Sequence, residues 1–297
     1  MAKVAWLPFP VGELPSGLTS VIGDRTGPVE ADLERITFYV MPYQVMRDDA
    51  GVLGRMPRLE VVQLLSAGYE HIVGQVPQGV TLCNGRGIHS ASTAELAITL
   101  ILSSLRDIPG FVRAQDECRW TQGFRPALAD KRVLIVGYGS IGEALEARLL
   151  PFEVDVVRVA RHDREGVHAF TDLADLLPGA DVVVLAAPLT DETRGMVDTD
   201  FLSRLKDGAL VVNVARGAIV DTEALLAELR SGRLRAALDV VDPEPLPPDH
   251  PLWHAPNVLI TPHVAGPSSA FRPRAERLVR DQLTRYARDE ELRNVVR

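Results

Sequence analysis

The sequence predicts an α/β protein built from two doubly wound parallel-sheet domains, and three observations carry that prediction. From Lys131 onward, short runs of Val, Leu and Ile alternate with helical segments, the pattern of a parallel sheet covered on both faces. The first run, Val133-Leu134-Ile135-Val136, leads straight into Gly137-Tyr138-Gly139-Ser140-Ile141-Gly142, a turn and helix start suited to a dinucleotide pyrophosphate. Sparser runs at 4–7, 36–40 and 61–65 indicate a smaller open α/β domain ahead of it.

Each element has its own local reason. Ser-Thr ahead of an Ala/Leu/Ile stretch, with Glu95 in the first turn, predicts a long helix over 91–105. The second domain then reads as strand 133–136, helix 141–150, strand 154–159, a helical 173–177 and strand 182–186. It continues with helix 199–205, strand 209–214, helix 222–230, strand 236–240 and strand 258–260. A charged helical stretch over 272–293 follows, and the Pro-rich 243–251 reads as a constrained surface loop. Within the glycine turn, Gly137 permits the tight turn, Gly139 lets backbone amides approach a pyrophosphate, and Gly142 allows the helix to pack closely on the strand.

Composition narrows the function classes. With 297 residues, 46% of them hydrophobic, the chain can bury a sizeable core. A net charge of −8 gives no long-range attraction to nucleic acid or anionic lipid. The most apolar stretch, 96–102, is far too short for a bilayer, and residues 1–10 read as a first strand rather than a signal peptide. Cys83 and Cys118 are too few and too isolated for a disulfide framework or a zinc site, so no metal is expected and the reducing cytoplasm is the expected compartment.

Three further phrases contain reactive side chains. Arg216 lies in Val211-Val212-Asn213-Val214-Ala215-Arg216-Gly217, Glu244 closes a phrase that starts Leu238-Asp239-Val240, and His263 ends Ile260-Thr261-Pro262-His263. Together with the glycine turn, in this order, they resemble the NAD(P)-dependent D-2-hydroxyacid dehydrogenase family over most of the span from Leu59 to Gly266. The glyoxylate/hydroxypyruvate reductase-like members are the ones most resembled. This resemblance implies a flavodoxin-like catalytic domain of residues 1–90 plus 268–297 and a Rossmann cofactor domain of residues 91–267. It also implies a homodimer formed through the cofactor domain, to which the apolar 94–120 region would contribute.

Reducing a ketone leaves negative charge on oxygen, so a proton donor and fixed positive charge are needed there. The resemblance gives these roles to His263 as the acid, Glu244 as the carboxylate that orients its ring, and Arg216 as the fork that grips the substrate carboxylate. Asp242 is a nearby competitor of Glu244, while His71, His89, His162, His168, His250 and His254 read as structural. Ser66, Ala67 and Gly68 match the family's glycine-containing loop for the substrate carboxylate, and His89 stands where many members carry asparagine. Cofactor contacts fall on Gly137, Tyr138, Gly139, Ser140, Ile141 and Gly142, and on Pro188, Thr193, Val214, Ala215 and Asp239.

Cofactor choice turns on the end of the second strand, where an acidic residue would bind the ribose 2′-hydroxyl. Ala160 stands there, followed by Arg161, which can bind a 2′-phosphate with Arg158 or Arg164 assisting. NADP(H) is therefore preferred, with NAD(H) possible through Asp163. The substrate expected is a small 2-keto or 2-hydroxy acid. Two alternatives stay open: an NAD-linked phosphoglycerate dehydrogenase-like enzyme, and a dinucleotide-sensing corepressor-like binding protein.

Overall fold

In the second half of the chain, strands made almost wholly of β-branched and leucine side chains need cover on both faces of the pleat, and they get it. The structure, a computed structural model, describes residues 2–23, 30–43, 47–70 and 72–296; His71 lies outside them. Two compact units emerge, one of Met1–His89 with Ser269–Arg297 and one of Ser90–Ser268.

The smaller unit holds β1 (Lys3–Leu7), β2 (Leu18–Ile22), β3 (Phe38–Val40), β4 (Val61–Gln63) and β5 (Thr81–Cys83), with the short α1 (Glu30–Leu33). They form a parallel sheet in the order β2-β1-β3-β4-β5, the flavodoxin-like arrangement. Val4, Trp6, Tyr39, Val62 and Leu82 pack on one face. Ala5, Leu7, Phe38, Val40 and Val61 pack on the other against α8 (Phe271–Ala287).

The larger unit begins with α2 (Ser90–Leu105) and α3 (Ile108–Asp116) and continues with β6 (Arg132–Val136), α4 (Ser140–Leu149), β7 (Asp155–Ala160), β8 (His168–Ala169) and α5 (Leu173–Leu176). Then come β9 (Val182–Leu185), α6 (Thr199–Ser203), β10 (Leu210–Asn213), α7 (Thr222–Arg230), β11 (Arg235–Leu238) and β12 (Val258–Ile260). The sheet order β12-β11-β10-β9-β6-β7-β8 is fully parallel, with the chain reversing its direction of winding between β6 and β9. Leu134, Val136, Val183, Leu185 and Val211 face one core, while Val133, Ile135, Val182, Val184 and Val212 face the other. Each such side chain contributes roughly 1.5–3 kcal/mol through burial.

Several expectations need correction. The helix expected over 272–293 stops at Ala287. Asp289 takes a left-handed φ of 55°, its N–H donates to Tyr286 C=O, and Glu290 N–H donates to Arg285 C=O at 2.9 Å, which is a Schellman ending. The chain then turns back and Val295 pairs antiparallel with Cys83. Strands β2 and β5 were not expected because Leu-Thr-Ser-Val-Ile and Thr-Leu-Cys lack an apolar run, and α3 escaped because Pro109 and Gly110 sit in its first turn. Among the described residues no helix is long and apolar enough to cross a membrane.

Candidate active site

The register of the seven-stranded sheet creates one level edge. Val159, Val136, Leu185, Asn213, Leu238 and Ile260 are successive cross-strand partners, and five of the six strands end on that row while β7 runs one residue further. Gly137, Ala160, Pro188, Val214, Ala215, Arg216, Asp239 and His263 all follow that row by one to three residues. Ligands of open parallel sheets bind at this edge, beside the point where the winding reverses.

The turn after β6 has the glycine geometry a diphosphate requires. Gly137 has φ of 108°, and a Cβ there would stand 2.2 Å from Ala187 N. A Cβ on Gly142 would stand 2.7 Å from Gly137 O, whereas nothing lies within 4 Å of one on Gly139. Ser140 and Ile141 open α4, whose first turn has no side-chain cap. Uncapped N–H groups beside open backbone fit an anionic dinucleotide.

Tyr138 anchors this turn from within. Its hydroxyl donates to the buried Glu146 of α4, which also accepts from Arg158 Nε at 2.7 Å. Hydrogen bonding from Arg158 holds the Glu146 carboxyl below the usual range, outweighing the opposing effect of burial. Burial, helped by Glu146, raises the Tyr138 hydroxyl. Arg158 is thereby paired with Glu146, the carboxylate that Tyr138 also reaches. Arg164 instead donates to Tyr138 C=O at 2.6 Å, and Arg161 is two-thirds exposed with a 3.0 Å ion pair to Glu192.

On the other side of β6, Thr193 is buried and shapes the loop that carries Pro188: its hydroxyl donates to Pro188 C=O at 2.7 Å and accepts from Thr190 N–H at 2.8 Å. After β10, the buried Asn213 accepts from Ala215 N–H at 3.0 Å and donates to Arg216 C=O at 2.9 Å, fixing the turn under the guanidinium. Arg216 itself donates to Ala215 C=O at 2.7 Å. Gly217 lets this turn meet the Glu244 loop, since a Cβ would stand 1.9 Å from Val241 O.

Asp239 is buried and its carboxylate organises the His263 loop. Oδ1 accepts from Thr261 Oγ1 at 2.6 Å and Val264 N–H at 2.9 Å, and Oδ2 accepts from Ala265 N–H at 3.0 Å. His263 N–H donates to Asp239 C=O at 2.8 Å, and His263 sits at a left-handed φ of 53°. Its Nδ1 meets Glu244 Oε1 at 2.6 Å, so Glu244 engages one ring nitrogen and not Nε2. Asp242 makes no such contact through its side chain; its backbone C=O accepts from Thr222 Oγ1.

The loop after β4, in the smaller unit, is built around two fixed carbonyls. Ser66 C=O accepts from Gly85 N–H at 2.7 Å, and Ala67 C=O accepts from Asn84 Nδ2 at 2.8 Å. N–H and C=O of a trans peptide point in opposite directions, so the N–H groups of Ala67 and Gly68 turn away from Asn84 and Gly85. Neither donates to an acceptor among the described residues, so two successive amides there have no protein acceptor. His89 is buried, its Nε2 on Leu65 O at 2.8 Å and its ring stacked on Phe271.

Sequence reasoning gave no role of their own to Asn84, Glu146, Asn213 and Gly217. Glu146 left a signal as a lone carboxylate on the apolar 142-145-149 face of α4, and Asn213 as a lone amide ending an apolar strand.

A glycine turn at the switch point and a paired imidazole on the same edge define a nicotinamide dinucleotide oxidoreductase. Residues 98–265 match the family described as D-isomer specific 2-hydroxyacid dehydrogenase, NAD binding domain. A glyoxylate reductase of Thermofilum pendens is 34% identical over 247 residues, covering 77% of this chain and 72% of that protein. The glyoxylate reductase/hydroxypyruvate reductase of Mus musculus is 34% identical over 73% of this chain and 70% of its own. A D-isomer specific 2-hydroxyacid dehydrogenase of Xanthobacter autotrophicus Py2, solved with NADPH and MES, is 32% identical with a TM-score of 0.83, covering 100% of this chain and 98% of that one. The chain belongs to the D-2-hydroxyacid dehydrogenase family and is an oxidoreductase that reduces 2-keto acids with a nicotinamide dinucleotide.

Proposed function

We propose that this enzyme prefers NADPH, reduces small 2-keto acids such as glyoxylate and hydroxypyruvate to the D-2-hydroxy acid, and works as a homodimer in the cytoplasm. The observation that carries the reading is the 2.6 Å Glu244–His263 pair on the sheet edge that also bears Arg216 and the glycine turn. A nicotinamide dinucleotide, when bound, would supply a hydride for the keto carbon. His263 gives the carbonyl oxygen its proton from Nε2, while Glu244 holds the ring through Nδ1 and balances its charge. Arg216 polarises the carbonyl and grips the substrate carboxylate, with Asn213 holding its turn rigid. In the smaller unit, the amides of Ala67 and Gly68 offer donors for a substrate carboxylate. Gly137, Gly139 and the start of α4 would hold the diphosphate, and Asp239 holds the loop that carries His263.

Arg161 supports the NADPH preference: it follows Ala160 with no carboxylate at the strand end, and its exposed pair with Glu192 costs little to exchange for a phosphate. The small-substrate preference rests on the relatives, which are glyoxylate and hydroxypyruvate reductases, and on finding no basic cluster suited to a distal phosphate among the described residues of the smaller unit. An unpartnered phosphate costs several kcal/mol in a dry site, of order 2–7 for a buried polar group without a partner. Steady-state assays with glyoxylate, hydroxypyruvate and phosphohydroxypyruvate, each with NADPH and NADH, test the proposal. Higher kcat/KM for the unphosphorylated acids and for NADPH is expected, with Arg161→Ala eroding the cofactor preference. A preference for NADH, or a clear win for the phosphorylated acid, would overturn it.

A further inference from the structure

The segment 293–296 is tied to residues 82–86 of the smaller unit by a run of bonds in which both backbone groups of Asn84 take part. Val296 N–H donates to Leu82 C=O at 2.9 Å, Val295 bridges Cys83, and Asn84 N–H donates to Asn294 C=O at 3.0 Å. Asn294 Nδ2 reaches past the strand end to Arg86 C=O at 3.1 Å and Asn84 C=O at 3.4 Å. A second layer lies beneath: Gln63 and Gln282, both fully buried, join at 2.7 Å. Gln282 also clasps Arg293 through N–H and C=O at 2.8 and 2.9 Å, and Gln63 Nε2 donates to Asn84 C=O at 3.0 Å. Buried amides that satisfy each other in this way define one geometry, because any departure leaves polar groups unpaired.

Asn84 is thus held by its own N–H and C=O, and its side chain is left to grip others. Oδ1 accepts from Arg86 N–H at 3.1 Å, and Nδ2 donates to Ala67 C=O. That last bond fixes the plane of the Ala67–Gly68 peptide and with it the direction of the Gly68 N–H.

We propose that residues 293–296 form a strap that aims the 66–68 amides at the substrate carboxylate, with Asn294 and Asn84 as its positioning residues. Neither touches substrate. The proposal rests on the reading of the 66–68 loop as a carboxylate site. It makes affinity for a small monocarboxylate depend on a segment more than 200 residues away in sequence, while cofactor binding is left alone.

Asn294→Gly keeps a residue suited to the φ of 55° at that position but removes the amide, and Asn84→Ala removes the grip on Ala67. Ala67→Pro removes one of the proposed donors itself. For the full-length variants, KM for glyoxylate, Ki for oxamate as a competing monocarboxylate, kcat and NADPH affinity by fluorescence titration would be measured. Asn294→Gly and Asn84→Ala should each raise KM and Ki about ten-fold, with a much smaller change in kcat and none in NADPH affinity. Deletion of residues 294–297 should match or exceed them. If Ala67→Pro raises KM while the strap variants leave it unchanged, whatever they do to Tm, the strap has no positioning role. If Ala67→Pro itself leaves KM unchanged, the 66–68 loop is not the carboxylate site and both readings fall.

Discussion

At the scale of single residues, the imidazole and guanidinium sit on turns fixed by buried polar side chains, Asp239 for one and Asn213 for the other. His263 is held through its own N–H, by three donors from its loop onto Asp239, and by Glu244 on the ring. Replacing it by alanine should cut kcat severely, by about 100-fold or more for loss of a general acid, with NADPH affinity nearly unchanged. Arg216→Lys should mainly raise KM for the keto acid and also lower kcat, since a point charge replaces a planar fork. Stopped-flow and equilibrium titration would separate the two. Near-normal turnover by His263→Ala would remove the proposed mechanism.

At the scale of elements, the strongly written parts of the sequence became the rigid frame. Thr222–Arg230 and Val258–Ile260 were legible to the residue, because Asp221 caps the first and the second is an unbroken apolar run. The glycine turn was legible because only a backbone without Cβ fits beside Ala187 and under α4. What escaped was held by partners remote in sequence: β5 by residues 295–296, Glu146 by Tyr138 and Arg158, and the 66–68 loop by Asn84. No local pattern announces such partners. The Glu146 anchor makes its own prediction. Its carboxyl is depressed in the folded protein, so its stabilisation is present above the ordinary glutamate range and is lost as pH falls through the lower folded value. Glu146→Gln should therefore lower Tm at neutral pH and flatten the acid side of a Tm-against-pH curve. An unchanged acid limb would mean that the pair with Arg158 contributes nothing to stability.

For the whole molecule, the surface around α3 carries the assembly prediction. Ile108, Val112, Trp120 and Phe124 are 46%, 53%, 90% and 106% exposed, a concentration of large apolar groups that marks protein contacts more often than solvent. Analytical ultracentrifugation should find twice the 32.4 kDa chain mass, and a Trp120→Ser, Phe124→Ser double variant should shift it towards one. A wild type that stays monomeric at micromolar concentration would remove the homodimer from the proposal.

The division at His89 and Ser269 has a consequence in time. All of Ser90–Ser268 leaves the ribosome as one uninterrupted stretch, whereas the other unit waits for α8 and for residues 293–296 to cover its last strand. Domains fold as units during synthesis, so the dinucleotide-binding half matures while its neighbour is still half made. Nascent chains stalled near residue 270 should already resist protease across 90–268 while 1–89 is still cut, and NADPH added to a translation mixture should deepen that protection before the chain is finished.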